Sequence, residues 1–260
     1  MSDAVLVERD GAVTTITLNR PKAFNALDRA AKEALLAALT EVDSDEACRA
    51  VLLAGAGGRA FCVGQDLREH VHNLEGDDPL ATVREHYNPI ARLLFGLGKP
   101  VVAAVRGAAA GAGASLAFLA DFRVGGPGTS FTMAFAGIGL AADTGASYTL
   151  PRLVGHAKAT EMLLLNTKVG AEEAARIGLL TELVETDEQV DRRARDLAAQ
   201  LAEGPTVAYG RIKRQLRLDG DFPTMLDDEA AAQADCGFTV DHAGAVDAFV
   251  NKRKPEFGGR

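Results

Sequence analysis

The chain has 260 residues, 47% of them hydrophobic and 25% charged, with a formal net charge of -8. That balance suits a soluble globular protein with a large core and excludes a disordered or fibrous one. The acidic excess argues against general affinity for nucleic acid or membrane surfaces.

Near the start, Asp3, Glu8, Arg9 and Asp10 interrupt the apolar stretch that a secretory signal needs, so no signal peptide is expected. "AVLVERDGAVTTITLNR" reads as a hairpin joined at Asp10-Gly11. Asp28 then caps a helix in which Ala31, Leu35, Leu36, Leu39 and Val42 recur at helical spacing. "RAVLLAGAGGRAFCVG" returns to strand character and a glycine-rich loop, giving the order ββαβ. The polar "HNLEGDDPL" predicts a surface loop before a helix over about 81–97, and "KPVVAAVRG" a buried strand. The weakly polar run over 107–120 is shorter than the roughly 20 apolar residues of a membrane span and reads as a buried helix. Short strands at "DFRVGG" and "TSFTM" and a helix after Asp143 complete an alternation that implies an α/β core. Beyond Asp187 strand signals vanish and four segments read as helices, the last through "DHAGAVDAFVNKRKPEF", with a break at Gly204-Pro205. A core over 1–200 and a helical region over 201–260, covering it or meeting another subunit, are expected.

Two strand-to-helix turns carry the chemistry. In "AVRGAAAGAGASLAFLADF" the glycines would let a ligand approach free backbone N–H groups at a helix N-terminus, or would merely permit tight helix packing. A dinucleotide fingerprint fits poorly, because Leu116 stands where a third glycine belongs. In "RAFCVGQDLREH" Asp66 reads as an N-cap, which leaves the Gln65 N–H pointing out of the loop. One N–H from Gln65 and one from Ala112 could meet a shared oxygen, as an enolate or a tetrahedral anion requires. On that reading only the backbone matters, and Gln65→Ala should cost little. Asp143, in "GLAADTGASYTLPR", either caps the helix that starts near Thr144 or is a general base in a dry pocket. The five histidines lack metal-ligand spacing and read as surface or loop residues, and Tyr148 reads as packing. Cys48, Cys62 and Cys236 are widely spaced without a CxxC pair, so neither a disulfide framework nor a metal site is expected, and a reducing cytoplasm fits best.

The ordered set "LNRPKAFNALD", "FCVGQDL", "YNPIARLLFGLGKPVVAAVRGAAAGAGASLAFLADF", "FTMAFAGIGLAADTGASYTLPRLVG" and "DAFVNKRKP" resembles the crotonase (enoyl-CoA hydratase/isomerase) superfamily over nearly the whole chain. "GQDL", "HYNP" and "AGAGASLA" are most similar to its branch containing 1,2-epoxyphenylacetyl-CoA isomerase. The resemblance implies an α/β spiral of ββα units with a C-terminal helical region, assembled as homotrimers or dimers of trimers. It also implies an acyl-CoA thioester substrate, with coenzyme A part of that substrate and no separate cofactor. By motif position the thioester carbonyl would meet the Gln65 and Ala112 N–H groups, and the CoA adenine and phosphates would lie along Lys22, Ala23, Phe24 and Ala26. Arg68 stands at a family lysine position near the pantetheine phosphates. Phe249 and Lys252 match C-terminal residues that reach CoA, often on a neighbouring subunit. Where family hydratases place two glutamates, this chain has Ser115 and Phe135, which argues against hydration by paired carboxylates. Asp143 stands where isomerase-like and dehalogenase-like relatives carry an acid. Among Phe135, Ile138, Leu140 and alanines its pKa should rise, so that one acid removes a proton beside the thioester and returns it elsewhere. A 2-enoyl-CoA hydratase and a non-catalytic acyl-CoA binder are the alternatives.

Overall fold

Residues 4–260 are described by the computed structural model, in which the alternation resolves into two sheets. β1 (Val5–Asp10) and β2 (Val13–Leu18) form the antiparallel hairpin, with Gly11 at φ +57° in its turn. β3 (Ala50–Gly55), β5 (Val101–Val105), β7 (Phe122–Gly125) and β10 (Glu182–Leu183) continue from β2 in parallel, in the order β1-β2-β3-β5-β7-β10. The second sheet holds β4 (Ala60–Cys62), β6 (Ala108–Ala110), β8 (Ser130–Thr132) and β9 (Val169–Gly170), in the order β4-β6-β8-β9.

The hairpin β1–β2 of the first sheet leads into a helix, and β3, β5 and β7 are each followed by a short strand of the second sheet and then by helix, so the chain winds as ββα units. α1 (Arg29–Ser44) closes the first, α2 (Leu67–Asn73) and α3 (Asn88–Gly96) the second, α4 (Ala112–Leu119) the third and α5 (Ala146–Leu165) the fourth. α6 (Ala171–Arg176) links β9 to β10. Parallel strands covered on both faces need apolar residues throughout, and β5 (VVAAV) is buried along its whole length. The period of two then divides them: Val51, Leu53, Val101 and Ala103 face a core with Leu35 and Leu39 of α1, whereas Ala50, Leu52, Val102 and Ala104 face α7 (Gln189–Ala202) through Val190, Ala194 and Ala198. Edge strand β1 exposes Glu8, Arg9 and Asp10, which discourages pairing with another chain.

α7, which crosses residue 200, is followed by α8 (Thr206–Arg217), α9 (Phe222–Gly237) and α10 (Val240–Val250), with the break at Gly204-Pro205. Residues 1–3 of the expected core lie outside the described residues. No helix among the described residues is long and apolar enough to cross a membrane.

Three expectations are corrected. The 107–120 run is not one helix: residues 108–110 form β6 between β4 and β8, and α4 begins only at Ala112, after Gly111 turns the chain at φ +51°. Alanines and glycines have no apolar period to mark that boundary. Asp143 caps no helix: α5 starts at Ala146 behind Gly145, at φ +81°, without a side-chain cap, and breaks again at Gly155 (φ 77°, ψ 161°). The last helix stops at Val250, and the tail folds back instead. Asp241, buried in α10, accepts from the Gly258 and Gly259 amides, while Arg49 donates to the Phe257 and Gly204 carbonyls.

Candidate active site

Gln65 follows β4 and Ala112 follows β6, its parallel neighbour in the second sheet. Gln65 forms an isolated parallel bridge with Leu27, in which the Leu27 N–H donates to the Gly64 carbonyl (2.7 Å) and the Asp66 N–H to the Leu27 carbonyl (3.0 Å). A strand residue flanked in this way turns its own N–H to the opposite edge. Ala112 is the first residue of α4, whose opening bond runs from the Ser115 N–H to the Gly111 carbonyl (3.0 Å), so the Ala112 N–H precedes the helical ladder. The two turns abut: a Cβ on Gly64, at φ +86°, would stand 3.0 Å from the Ala112 nitrogen. Gly113 serves packing, because its Cβ would fall 2.2 Å from the Cys62 carbonyl oxygen. The glycine-rich run thus packs α4 closely on β4 at Gly113 and leaves the Ala112 N–H outside the helical ladder.

Gln65, Ala112 and Asp143 line one cleft of about 750 Å³ together with Lys22, Ala23, Phe24, Ala26 and Arg68. Met133, Phe135, Ile138 and Leu140 supply apolar wall. Phe249 and Lys252 are not brought there; both are exposed at the end of α10. Ser115 also stays out of the cleft, fully buried with its hydroxyl donated to the Gly111 carbonyl (3.1 Å).

Two carboxylates face the cleft among the described residues, in different electrostatic states. Asp66 caps α2 by accepting from the Arg68 and Glu69 amides and pairs with Arg20 (2.9 Å). Burial works to raise its carboxyl, but the Arg20 guanidinium and those amides outweigh it and hold it below the usual range. Asp143 has no cationic partner among the described residues. Its burial raises the carboxyl above the usual value, although the Thr144 hydroxyl, donating to Oδ1 at 2.8 Å, pulls the other way.

Behind Gln65 lies a polar cluster that the sequence reading missed. Lys32 is wholly buried, and its ammonium donates to Gln65 Oε1 (3.1 Å), Glu69 Oε1 (2.6 Å) and Thr82 Oγ1 (2.6 Å), which uses all three protons. The Tyr87 hydroxyl donates to the second lone pair of Gln65 Oε1 (2.8 Å). Burial would raise the Glu69 carboxyl, yet Lys32 and the Gln65 amide draw it below the usual range. The signal was present: Lys32 falls on the apolar stripe of α1, beside Ala31 and one turn before Leu35. His86 is also corrected, since it is buried with Nδ1 3.2 Å from Thr82 Oγ1, whereas His72, His156 and His242 are exposed and His70 lines the cleft.

Gln65, Ala112 and Asp143 thus share one cleft, and the enoyl-CoA hydratase/isomerase family model covers residues 8–260. The chain belongs to this family. It is 38% identical over 264 residues to 1,2-epoxyphenylacetyl-CoA isomerase of Escherichia coli, covering 100% of both chains. It is 42% identical over 250 residues to a Rhodobacter capsulatus protein described as a probable enoyl-CoA hydratase, covering 95% of each. A Mycobacterium abscessus crystal structure bearing the hydratase/isomerase family designation superposes with a TM-score of 0.94 at 45% identity, covering 99% of this chain and 100% of that one. The architecture is thus that of the crotonase fold, and the chain is an enzyme of the crotonase superfamily. Both hydratases and isomerases stand among its relatives, so discrimination falls to the side chains of the cleft. In this crotonase, one of the positions where family hydratases carry glutamate is a buried serine turned to backbone and the other a phenylalanine in the wall.

Proposed function

We propose that the protein is an acyl-CoA isomerase that works through a thioester enolate with Asp143 as its single acid and base. The observation that carries this reading is that Asp143 is the one cleft carboxylate, among the described residues, without a cationic partner, in a cleft shared with two unladdered amides. The substrate carbonyl accepts from the Gln65 and Ala112 N–H groups. Asp143 removes a proton from a carbon in conjugation with the thioester, and the negative charge collects on the bound oxygen. The protonated Asp143 then returns the proton at the other end of the dienolate, moving the double bond with no net gain or loss of electrons. Each amide donor is worth about 2.7 to 4 kcal/mol at the transition state. A raised carboxyl pKa makes charged Asp143 a stronger base for the first half of the cycle, and the neutral acid can still return the proton to the far more basic dienolate. Ring-epoxide rearrangement of an aryl thioester falls within the same chemistry.

Lys22 and Arg68 offer positive charge to the CoA phosphates, and Ala23, Phe24 and Ala26 offer backbone and apolar surface beside them; CoA arrives as part of the substrate. Phe249 and Lys252 would reach the CoA of a neighbouring subunit in a homotrimer or dimer of trimers, and the 85% exposure of Phe249 supports that. Three free cysteines suit a cytoplasmic setting.

The test is Asp143→Asn assayed on 3-hexenoyl-CoA and crotonyl-CoA. Isomerisation should fall by about 10²- to 10⁴-fold with CoA-thioester binding retained. Hydration of crotonyl-CoA at ordinary enzyme rates that survives the substitution would overturn the assignment.

A further inference from the structure

Thr144 follows Asp143 in a backbone conformation that β-branched residues avoid. Its φ is +52°, in the left-handed region where a branched Cβ crowds the chain, and the side chain is 1% exposed. Glycine would occupy this conformation without strain, and the next residue, Gly145, does so at φ +81°. What threonine supplies and glycine lacks is the hydroxyl, whose single proton goes to Asp143 Oδ1 at 2.8 Å. No other protein donor reaches the Asp143 carboxylate among the described residues, so Oδ2 is left for the cleft.

We propose that Thr144 is a positioning residue that holds one oxygen of Asp143 and so presents the other, Oδ2, as the single atom that takes and returns the substrate proton. The inference rests on Asp143 being the base. A carboxylate free to rotate about its Cβ–Cγ bond would exchange its oxygens and lose the alignment that proton transfer needs, whereas a tethered one keeps it. The strained backbone fits the role, since it aims a buried hydroxyl along the chain at the preceding side chain.

The other charged or titratable groups of the cleft are Asp66, paired with Arg20; Tyr87, bonded to Gln65 and held protonated by burial; and Lys22, Arg68 and His70. Beside them Glu69 is paired with Lys32, and Cys62 is buried with its thiol pushed up to about 12. Their influence on Asp143 is common to the parent and to variants at 144.

The experiment compares Thr144→Gly, Thr144→Val and Thr144→Ser with the parent and with Asp143→Asn, using pH profiles of kcat and kcat/KM on 3-hexenoyl-CoA and thermal melts. Thr144→Gly removes the hydroxyl in a conformation that glycine accepts, so relief of backbone strain offsets part of the lost bond and packing, and the melt checks that the variant stays folded. It should still lose about tenfold or more in kcat with KM little changed. The acidic limb should move to higher pH, because the lost bond favoured the charged carboxylate. Thr144→Val, if folded, should match it, and Thr144→Ser should restore most of the rate and return the limb. A Gly variant with parental kcat and an unmoved limb overturns the inference while Asp143→Asn stays inactive; so does a Ser variant as impaired as the Gly one. Parent turnover that is absent, or that persists in Asp143→Asn, overturns the functional reading itself and this inference with it.

Discussion

Asp143, the acid and base of the proposed mechanism, works against the fold. Its carboxyl is raised in the folded state because burial disfavours the charge, so at neutral pH, where an unfolded aspartate is fully charged, the group opposes folding. The opposition starts to shrink as pH falls through the raised folded value, because the folded state takes up its proton first, and it is gone once the unfolded aspartate is protonated as well. Asp143→Asn should therefore melt at or above the parent temperature at pH 7, with the gap narrowing as pH drops; a lower Tm at pH 7 would show that the charge is stabilised in a way the geometry does not contain. The oxyanion donors divide the backbone from the side chain. Ala112 is the first residue of α4, where a helix tolerates proline, so Ala112→Pro should fold, bind CoA thioester and lose about 10²- to 10³-fold in turnover, while Ala112→Gly stays active. Gln65→Ala keeps its N–H and was expected from sequence to cost little turnover; the structure adds a cost in stability. Its side-chain oxygen accepts from buried Lys32 and Tyr87, so truncation leaves both donors short of a partner and should lower stability by about 1–3 kcal/mol in a denaturant melt.

Among the elements, those with a strong period were legible and those without one were not. α1 and the hairpin announced themselves through spacing and turn residues, and Asp28 and Asp66 cap their helices as their position before an apolar or amphipathic run suggested. β6 was hidden because three alanines carry no period and take their strand identity from β4 and β8 on either side. The cluster around Lys32 was hidden for a different reason: its members come from α1, α2 and the 82–87 segment, and only the tertiary fold joins them. α4 depends on contact with β4 at one residue. Gly113→Ala should cost about 1–3 kcal/mol, since its Cβ would meet the Cys62 carbonyl, and by shifting α4 should lower kcat as well. Gly96→Ala at the end of α3, where a Cβ has open space, is the matched control and should be neutral or stabilising by up to about 1 kcal/mol.

For the whole molecule, the family motifs made the crotonase architecture legible from residue patterns alone, yet the C-terminal surface needed coordinates. Phe238, Phe249, Val240 and Val250 are 92%, 85%, 67% and 71% exposed, more apolar surface than an isolated chain ordinarily leaves in water. Light scattering at micromolar concentration should report an oligomer, and Phe249→Asp should shift it toward smaller species; a monomeric parent would remove the subunit-bridging role assigned to Phe249 and Lys252.

The two donor amides follow neighbouring strands of one sheet, and adjacent strands lie about 4.8 Å apart wherever they pair. An oxygen about 2.9 Å from each nitrogen fits that span with an open angle between the two bonds. On the proposed mechanism the sheet is a ruler for the thioester oxygen, read off hydrogen bonds that no acyl group touches. The apolar wall at Met133, Phe135, Ile138 and Leu140 is cut from different material, the segment that follows β8, whereas the helical 81–87 stretch is tied to Gln65 through Tyr87 and Lys32. On that mechanism, altering the 133–140 segment redraws the outline of the acyl chamber while the spacing of the two amides keeps its scale, so other thioesters can be accommodated without rebuilding the donor pair.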